Sequence, residues 1–449
     1  MRTKTKGMIA GIVVLTVCLG GYLAAGRALD HFVRDGTLVR LIGRKTAVIL
    51  EADTGYLPVT SSGLTVRSDG ILVRAKPPRS LTQISAANLR AFCSLQNLWQ
   101  RKWTIKRLQA SHLQAAFGEA AESHLERILP REPELQPPIE TSSPLKLEIR
   151  ETIVPRTDVF WGQNPEGIGY LKDIEARFYP KDHGLDVFGR GGTFRQTGWP
   201  ELKVDELRLH YAKPQLAVES AIFSIGQPRN FTVKGAFKFG EGGEMQLHLH
   251  SAQTPAEPFI MGFWHGKLEG SFDSESDLHE KYEANAKVDA AGEIHFTRAM
   301  VHDVPALKQI ATITRHPQFE KPKIDVLNLH YRWSGTRLDV TQLEAEIKGL
   351  MRIEGEFAVD KQNIEGKFKI GVAPDVAESI PGAREKVFTE SRGSYLWTSM
   401  TLSGPASHPH EDLKQRLVAA AKEHLAKGFL APIFKPGKSV LEMLDAIYQ

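Results

Sequence analysis

Apolar residues recur at every second position over most of this chain, and this alternation limits its possible folds more than any other feature. It begins with Leu64 and Val66, continues with Ile71 and Val73, and returns in many later segments. Successive side chains of a β-strand point to opposite sides, so this period predicts half-buried strands. Glycine-rich turns between the segments favour antiparallel neighbours in a meander. We therefore expect a mainly β protein with a few helices, built on an elongated antiparallel β-sheet.

Four short segments carry other local signals. Asn88–Phe117 has apolar residues spaced for a helix or for a helix plus a strand. Asp303–Arg315 and Glu411–Lys427 each carry one apolar stripe, which predicts two amphipathic helices. The pair Asp69-Gly70 lies between two alternating runs and predicts a hairpin turn.

The N-terminus predicts a single transmembrane helix. Met8–Ala25 is an uncharged, largely apolar run preceded by basic residues. As a helix it would be about 27 Å long, close to the hydrocarbon thickness of a bilayer. A cleaved signal peptide or a lipid anchor at Cys18 are alternatives. We place the N-terminus in the cytoplasm and the bulk of the chain outside it. Ala28–Arg44 is either an interfacial helix or the first amphipathic helix of the folded part.

Composition excludes several classes of function. The net charge is only +4, so no nucleic acid partner is implied. Cys93 is the only cysteine beyond the apolar run, which leaves no intramolecular disulfide and no cysteine zinc site for the folded part. We interpret Cys93 as a small buried hydrophobic residue.

Proline clusters and changes of period suggest six segments, for which a chain of 449 residues has room. They are a membrane anchor (1–26), a mixed α/β lobe (27–130), a proline-rich linker (131–144), an antiparallel β region (145–290), a C-terminal β module (291–405) and a helical tail (406–449).

The C-terminal third resembles a known family. Glu293–Phe296, Val304–Leu307 and Met351–Phe357 are similar to the C-terminal module of the AsmA family, and Leu402–Gly404 with Pro409, Asp412 and Leu413 resembles its closing strand and helix. The resemblance implies an inner-membrane anchor, a long periplasmic β structure, and lipid guided along a β surface. The partners it implies are the inner membrane through residues 8–25 and lipid acyl chains.

Each predicted strand has an apolar side, but few helices are predicted to cover them. Exposed apolar area costs about 25 cal/mol per Å², so these sides need a cover. Three kinds of cover are open: the sheet closes into a sandwich or barrel, another subunit covers it, or acyl chains fill it as a groove. With the resemblance added, we favour a lipid groove. Its candidate residues are Leu329, Tyr331, Trp333, Ile347, Met351, Ile353, Phe357, Phe368 and Ile370. The alternative is a non-enzymatic scaffold that contacts other envelope proteins, or copies of itself, through a sheet edge.

Other candidate sites have simpler explanations. His248 and His250 share one side of a strand, as two metal ligands would, but also as two surface histidines would. Glycoside cleavage needs a pair of carboxylates, and four acids are candidates, but the sequence does not define the distances between them. These acids are Asp158, Glu166, Asp182 and Asp186. We predict no catalytic, metal or cofactor site.

Overall fold

A computed structural model describes residues 52–75, 81–94, 102–137, 146–162, 167–239, 242–260, 265–281, 288–303, 305–406 and 409–428, with a few helical residues between 27 and 43. The fold is mainly β, with 62% strand and 14% helix. This confirms the predicted class. The predicted transmembrane segment lies outside the described residues.

The described strands are numbered along the chain. They are β1 (Asp53–Tyr56), β2 (Val59–Ser62), β3 (Thr65–Arg74), β4 (Leu81–Ser94), β5 (Lys102–Gln109), β6 (His112–Phe117), β7 (Lys146–Ile149), β8 (Thr152–Trp161), β9 (Gly169–Lys181), β10 (Gly184–Arg190), β11 (Thr193–Gln196), β12 (Leu202–Ala212), β13 (Gln215–Ile225), β14 (Gln227–Lys238), β15 (Glu244–Pro255), β16 (Leu268–Lys281), β17 (Asp289–Val301), β18 (Lys323–Ile324), β19 (Val326–Ser334), β20 (Arg337–Ile347), β21 (Met351–Asp360), β22 (Asn363–Val372), β23 (Glu390–Arg392), β24 (Tyr395–Pro405) and β25 (His410–Glu411).

Beyond the helical residues between 27 and 43, the helices that the structure describes are few and short. They are α1 (Glu119–Glu122), α2 (Pro305–Thr314), α3 (Pro374–Ser379), α4 (Ala383–Lys386) and α5 (Leu413–Gly428), with 3₁₀ turns at Glu257–Phe259 and Pro317–Phe319. α2 and α5 confirm the two amphipathic helices predicted from apolar stripes. Among the described residues, no helix has both the length and the apolar character needed to cross a membrane.

Contacts between Cα atoms divide the chain into two compact units, unit 1 (Met1–Phe223) and unit 2 (Ser224–Gln449). The finer division into six segments remains a prediction.

The sheet of unit 1 mixes antiparallel and parallel pairing. β3 pairs with β1 and β2 on one side and with β4 on the other, and β4 pairs with β5 and β6. β5 and β6 then pair in parallel with β7 and β8, and β9 to β12 continue in antiparallel order. The parallel joint departs from the expected meander, because the chain crosses from β6 to β7 through the proline-rich stretch instead of a tight turn.

Two predictions for unit 1 are wrong. The described part of Asn88–Phe117 consists of β4, β5 and β6 and not of a helix. β3 also runs without interruption through Asp69-Gly70, so this pair forms no hairpin turn. A Cβ at Gly70 would lie 2.3 Å from Leu129 Cδ2 and 2.9 Å from the Ala86 carbonyl oxygen. Glycine is needed there because neighbouring groups pack tightly against the strand.

Part of β4 in unit 1 is buried on both sides, which explains its poor alternation. Leu72 and Ala87 pack with Leu57 on one side of the sheet. Ala86, the neighbour of Ala87, packs with Val154 on the other. A strand covered on both sides carries no regular polar positions, so period two disappears from its sequence.

The start of unit 1 contributes to a small separate core. The helical residue Val33 is 6% exposed and packs with Val66 of β3. Cys93 packs at the edge of the same cluster. Burial raises the pKa of the Cys93 thiol to about 11, which disfavours the reactive thiolate. Cys93 is thus a packing residue, although it is half-buried and not fully buried as predicted.

Unit 2 shows the antiparallel succession expected from the sequence. β14, β15, β16, β17, β19, β20, β21, β22 and β24 each pair with the next in this order. The short strands β18, β23 and β25 add to β17 and β24. The main core of this unit lies where α2 to α5 pack on the last four strands of the succession.

Candidate functional site

One side of the unit 2 sheet is apolar across nine strands. Residues paired directly across neighbouring strands lie on the same side of a sheet. Tyr331 of β19 pairs with Gly292 and Val340, and this row continues to both ends of the succession. From β14 to β24 the row is Val233, Leu249, Ser276, Gly292, Tyr331, Val340, Phe357, Gly366 and Leu402. The next row is Gly235, Leu247, Leu278, Ala290, Trp333, Leu338, Val359, Ile364 and Gly404.

We call the side of the sheet that carries these two rows the apolar face. All nine candidate groove residues predicted from the sequence lie on it. Eight of them alternate with the row residues of their own strands, and Ile347 joins them because a bulge shifts the register of β20 between Val340 and Leu343. The structure therefore brings together residues that are separated by up to 41 positions along the chain.

Helices cover one end of the apolar face. Phe368 and Ile370 are 9% and 8% exposed and belong to the core formed with α3, α4 and α5. Four further candidates are partly buried against the same core: Ile347, Met351, Ile353 and Phe357. Phe368 and Ile370 are thus structural core residues in this conformation.

The other end of the apolar face is more open. Leu329 and Tyr331 are half-buried, and the side chain of Trp333 is 43% exposed. Two aromatic pairs continue this surface toward β15. The Phe272 ring centroid lies 5.6 Å from that of Phe259 and 5.8 Å from that of Phe296. This end combines large apolar side chains with access from outside.

Tyr331 shows how the open end is built. Its hydroxyl donates a hydrogen bond of 2.8 Å to Ser276 Oγ, which lies two strands away, beyond Gly292. A Cβ at Gly292 would lie 2.3 Å from the Glu275 carbonyl oxygen and 2.6 Å from Ser276 Oγ. Glycine between the two residues keeps this approach open. The hydroxyl is satisfied within the protein, so the face has no unpaired polar group at this point.

The sequence pattern did not indicate Phe272 as a groove residue, although it lies on the apolar face. β16 places Ser274 and Ser276 at the next two positions on the same side. Serines at inward positions hide the alternation of apolar and polar residues on which strand prediction depends. The pairing of Phe272 with Phe296 could be found only from the strand register.

The opposite side of the unit 2 sheet is polar and carries the two histidines considered as metal ligands. His248 Nδ1 lies 2.9 Å from Asp277 Oδ1, and His250 Nδ1 lies 3.4 Å from Glu275 Oε1. Each imidazole is therefore matched by its own carboxylate on β16. Within the described ranges, no group of three or more His, Cys, Asp or Glu side chains is arranged to hold a metal ion.

The acids considered for glycoside cleavage lie in different surroundings. Asp158 is 1% exposed in unit 1, and its carboxylate accepts hydrogen bonds from His112 Nε2 at 2.6 Å and from the Asp173 backbone N–H at 2.8 Å. Asp186 is bound by His210 on the exposed side of β10, and Asp182 is exposed in the β9–β10 turn. Glu166 lies outside the described residues.

The environment of Asp158 favours its charged form. Burial by itself raises the pKa of this carboxyl, but the hydrogen bonds from Asp173 and His112 outweigh it and lower the pKa overall. A general acid needs the opposite shift. We interpret Asp158 as a charged residue with a structural role, located where β6 and β8 pair in parallel.

Comparison with protein-family models, with curated proteins and with solved structures gave no significant match. The resemblance to the AsmA family therefore stays a prediction.

Proposed function

We propose that this protein is anchored in the inner membrane through residues 8–25 and binds or passes phospholipid along the apolar face. Its N-terminus lies in the cytoplasm and its bulk in the periplasm, where it serves assembly or maintenance of the cell envelope. Lipid acyl chains are its ligands. Contacts with other envelope proteins or with further copies of the chain belong to the same proposal.

The observation that carries this proposal is the continuation of the apolar face beyond its covered end. Core packing with the helices involves β20 to β24, whereas Leu329 and Tyr331 of β19 remain half-buried and Trp333 is exposed. Apolar surface in water costs about 25 cal/mol per Å², so a ligand that covers this end is favoured. An acyl chain offers an apolar cover that needs no hydrogen bonds.

The polar groups on the apolar face are compatible with acyl chains. Tyr331 and Ser276 satisfy one another, so a hydrocarbon chain that covers them leaves no hydroxyl unpaired. Trp333 at the exposed margin has an apolar ring and one N–H donor, a combination suited to the boundary between acyl chains and water.

Native mass spectrometry of the full chain, extracted from membranes in mild detergent, tests lipid binding. We expect reproducible bound phospholipid in the unaltered protein and a clear loss in Leu329→Gln, which places an amide on the open end. Arg332→Gln, on the same strand but exposed on the opposite side, is the matched control and should retain lipid. A stable, lipid-free unaltered protein would contradict the proposal.

Reporter fusions at Gln449 test the localisation. A reporter that is active only outside the cytoplasm should be active at this position, and one that is active only in the cytoplasm should be silent. The reverse result would place the bulk of the chain in the cytoplasm and overturn this part of the proposal.

A further inference from the structure

A concave surface lies in unit 1, on the polar side of the β9–β10 hairpin. It forms a cavity of about 550 Å³, within the size range of small-ligand sites. Its lining comes from alternate residues of the two strands: Glu175, Arg177, Tyr179, Lys181, Asp186, Phe188 and Arg190, with Gly189. The intervening residues Ile174 and Ala176 are buried on the other side of the sheet. The cavity is therefore separate from the core of unit 1.

An exposed aromatic ring lies in the middle of this charged surface. Phe188 is 40% exposed, and its ring meets that of Tyr179 edge-on, with centroids 5.7 Å apart and planes at 76°. In the strand register Phe188 lies between Arg177 of β9 and Arg208 of β12. Core packing does not explain a phenyl ring in this position, since the side chain points away from the buried side.

The charged groups around the ring are held in place by one another. Arg190 donates two hydrogen bonds to Glu175 Oε2, of 2.9 and 2.7 Å. Asp186 accepts a hydrogen bond from His210 of 2.6 Å and lies 3.5 Å from Lys181 Nζ. Two acidic and three basic side chains line the surface, so its net charge is small. It offers fixed donors and acceptors beside an apolar ring.

We propose that this surface binds a carbohydrate chain, with one pyranose ring stacked on Phe188. The C–H face of a pyranose is apolar and matches an exposed aromatic ring, whereas its equatorial hydroxyls need both donors and acceptors. The guanidinium groups of Arg177 and Arg190 and the carboxylate of Asp186 supply both at the rim. A nucleic acid would require a clear excess of positive charge, and an acyl chain would require a longer apolar surface.

Isothermal titration calorimetry of the full chain tests this inference, with an N-acetylglucosamine tetramer and a glucose tetramer titrated separately. We expect saturable binding of at least one of the two. Phe188→Ala should weaken that binding about tenfold, the effect of removing one stacking interaction of roughly 1.4 kcal/mol. Phe188→Trp should retain it. Phe239→Ala, which removes an exposed aromatic of unit 2 that is 42% exposed, is the matched control and should bind like the unaltered chain.

Two results would overturn the inference. One is the absence of saturable binding of both sugars to the unaltered chain at millimolar concentration. The other is equal binding by the unaltered chain and by folded Phe188→Ala, with circular dichroism as the check of folding. Phospholipid binding measured on Phe188→Ala should be unchanged, because the apolar face belongs to unit 2. The carbohydrate inference can therefore fail while the proposed function stands, and the reverse also holds.

Discussion

At the scale of single residues, Asp158 is a buried carboxylate of unit 1 whose partners keep it charged. Its carboxylate is bound by His112 and by the backbone N–H of Asp173, at the point where β6 and β8 run in parallel. Asp158→Asn keeps the shape but removes the charge that strengthens both hydrogen bonds. We expect a loss of about 1–3 kcal/mol in the free energy of unfolding, measured by urea denaturation. Asp182→Asn, in the exposed turn of the neighbouring hairpin, should leave stability unchanged.

The same carboxylate predicts a dependence of stability on pH. The pKa of Asp158 is lower in the folded protein than in the unfolded chain, where it is about 3.9. Its stabilising contribution is therefore present above that pH and is lost as the pH falls through the lower folded value. The stability difference between the unaltered protein and Asp158→Asn should shrink below about pH 4. An unchanged difference at lower pH would show that the charge of Asp158 is not the stabilising factor.

Gly292 is the residue on which the geometry of the open end depends. An added Cβ would meet the Glu275 carbonyl oxygen and the Cα of Ser276 at 2.3 and 2.8 Å, so the backbone of two strands would have to separate. We expect Gly292→Ala to destabilise the protein by about 1–3 kcal/mol in thermal or urea unfolding. Gly167→Ala is the control, because no atom lies within 4 Å of a Cβ at that position. Similar stability of the two variants would contradict this account of the close approach.

At the scale of elements, the outer edge of β24 pairs with the short strands β23 and β25 near its two ends, and side chains close the stretch between them. The Asp412 carboxylate accepts a hydrogen bond from the Thr401 backbone N–H at 2.8 Å. Arg416 of α5 donates to the Ser399 carbonyl oxygen and to Thr398 Oγ1. These groups occupy positions where another strand would pair, so α5 protects the edge of β24 from other chains.

Removal of this protection should promote association. We expect Asp412→Ala/Arg416→Ala to form dimers or larger species at concentrations where the unaltered chain does not, as measured by size-exclusion chromatography with light scattering. Gln415→Ala, an exposed change on the same helix, should behave like the unaltered protein. If the double variant keeps its oligomeric state, the closed edge is not what limits association. Strong association of the double variant would show that this edge is closed in the unaltered protein, which argues against the scaffold alternative at this edge.

The elements that could be predicted from the sequence are those with one polar side. β19, β21 and β22 keep regular alternation because one side faces charged groups, and α2 and α5 show single apolar stripes. Unit 1 was less predictable for a physical reason. Ala86 and Ala87 are buried on opposite sides, and β4 shifts its register against β5 between Phe92 and Cys93. Burial on both sides and a bulge each remove the period on which the prediction depends.

At the scale of the whole molecule, local patterns determined the side of each strand but not what covers it. The nine candidate groove residues do share one face, yet Phe368 and Ile370 lie beneath helices while Trp333 is exposed. That difference depends on where α3 to α5 pack, which is a long-range property. The sequence also did not indicate the cavity around Phe188, since its residues become neighbours only through the β9–β10 register.

The two units should respond differently to lipid if the apolar face is the binding surface. A ligand that binds only the folded state raises stability by RT ln(1 + [L]/Kd), about 2.7 kcal/mol at a ligand concentration of one hundred times Kd. We expect differential scanning calorimetry of the delipidated chain to resolve two transitions, of which only one shifts upward when phospholipid is added. Leu329→Gln, in unit 2, should abolish the shift, whereas Asp158→Asn, in unit 1, should lower the other transition and leave the shift intact. Equal shifts of both transitions would mean that lipid acts on the chain generally, and no shift at saturating lipid would argue against the apolar face as a lipid site.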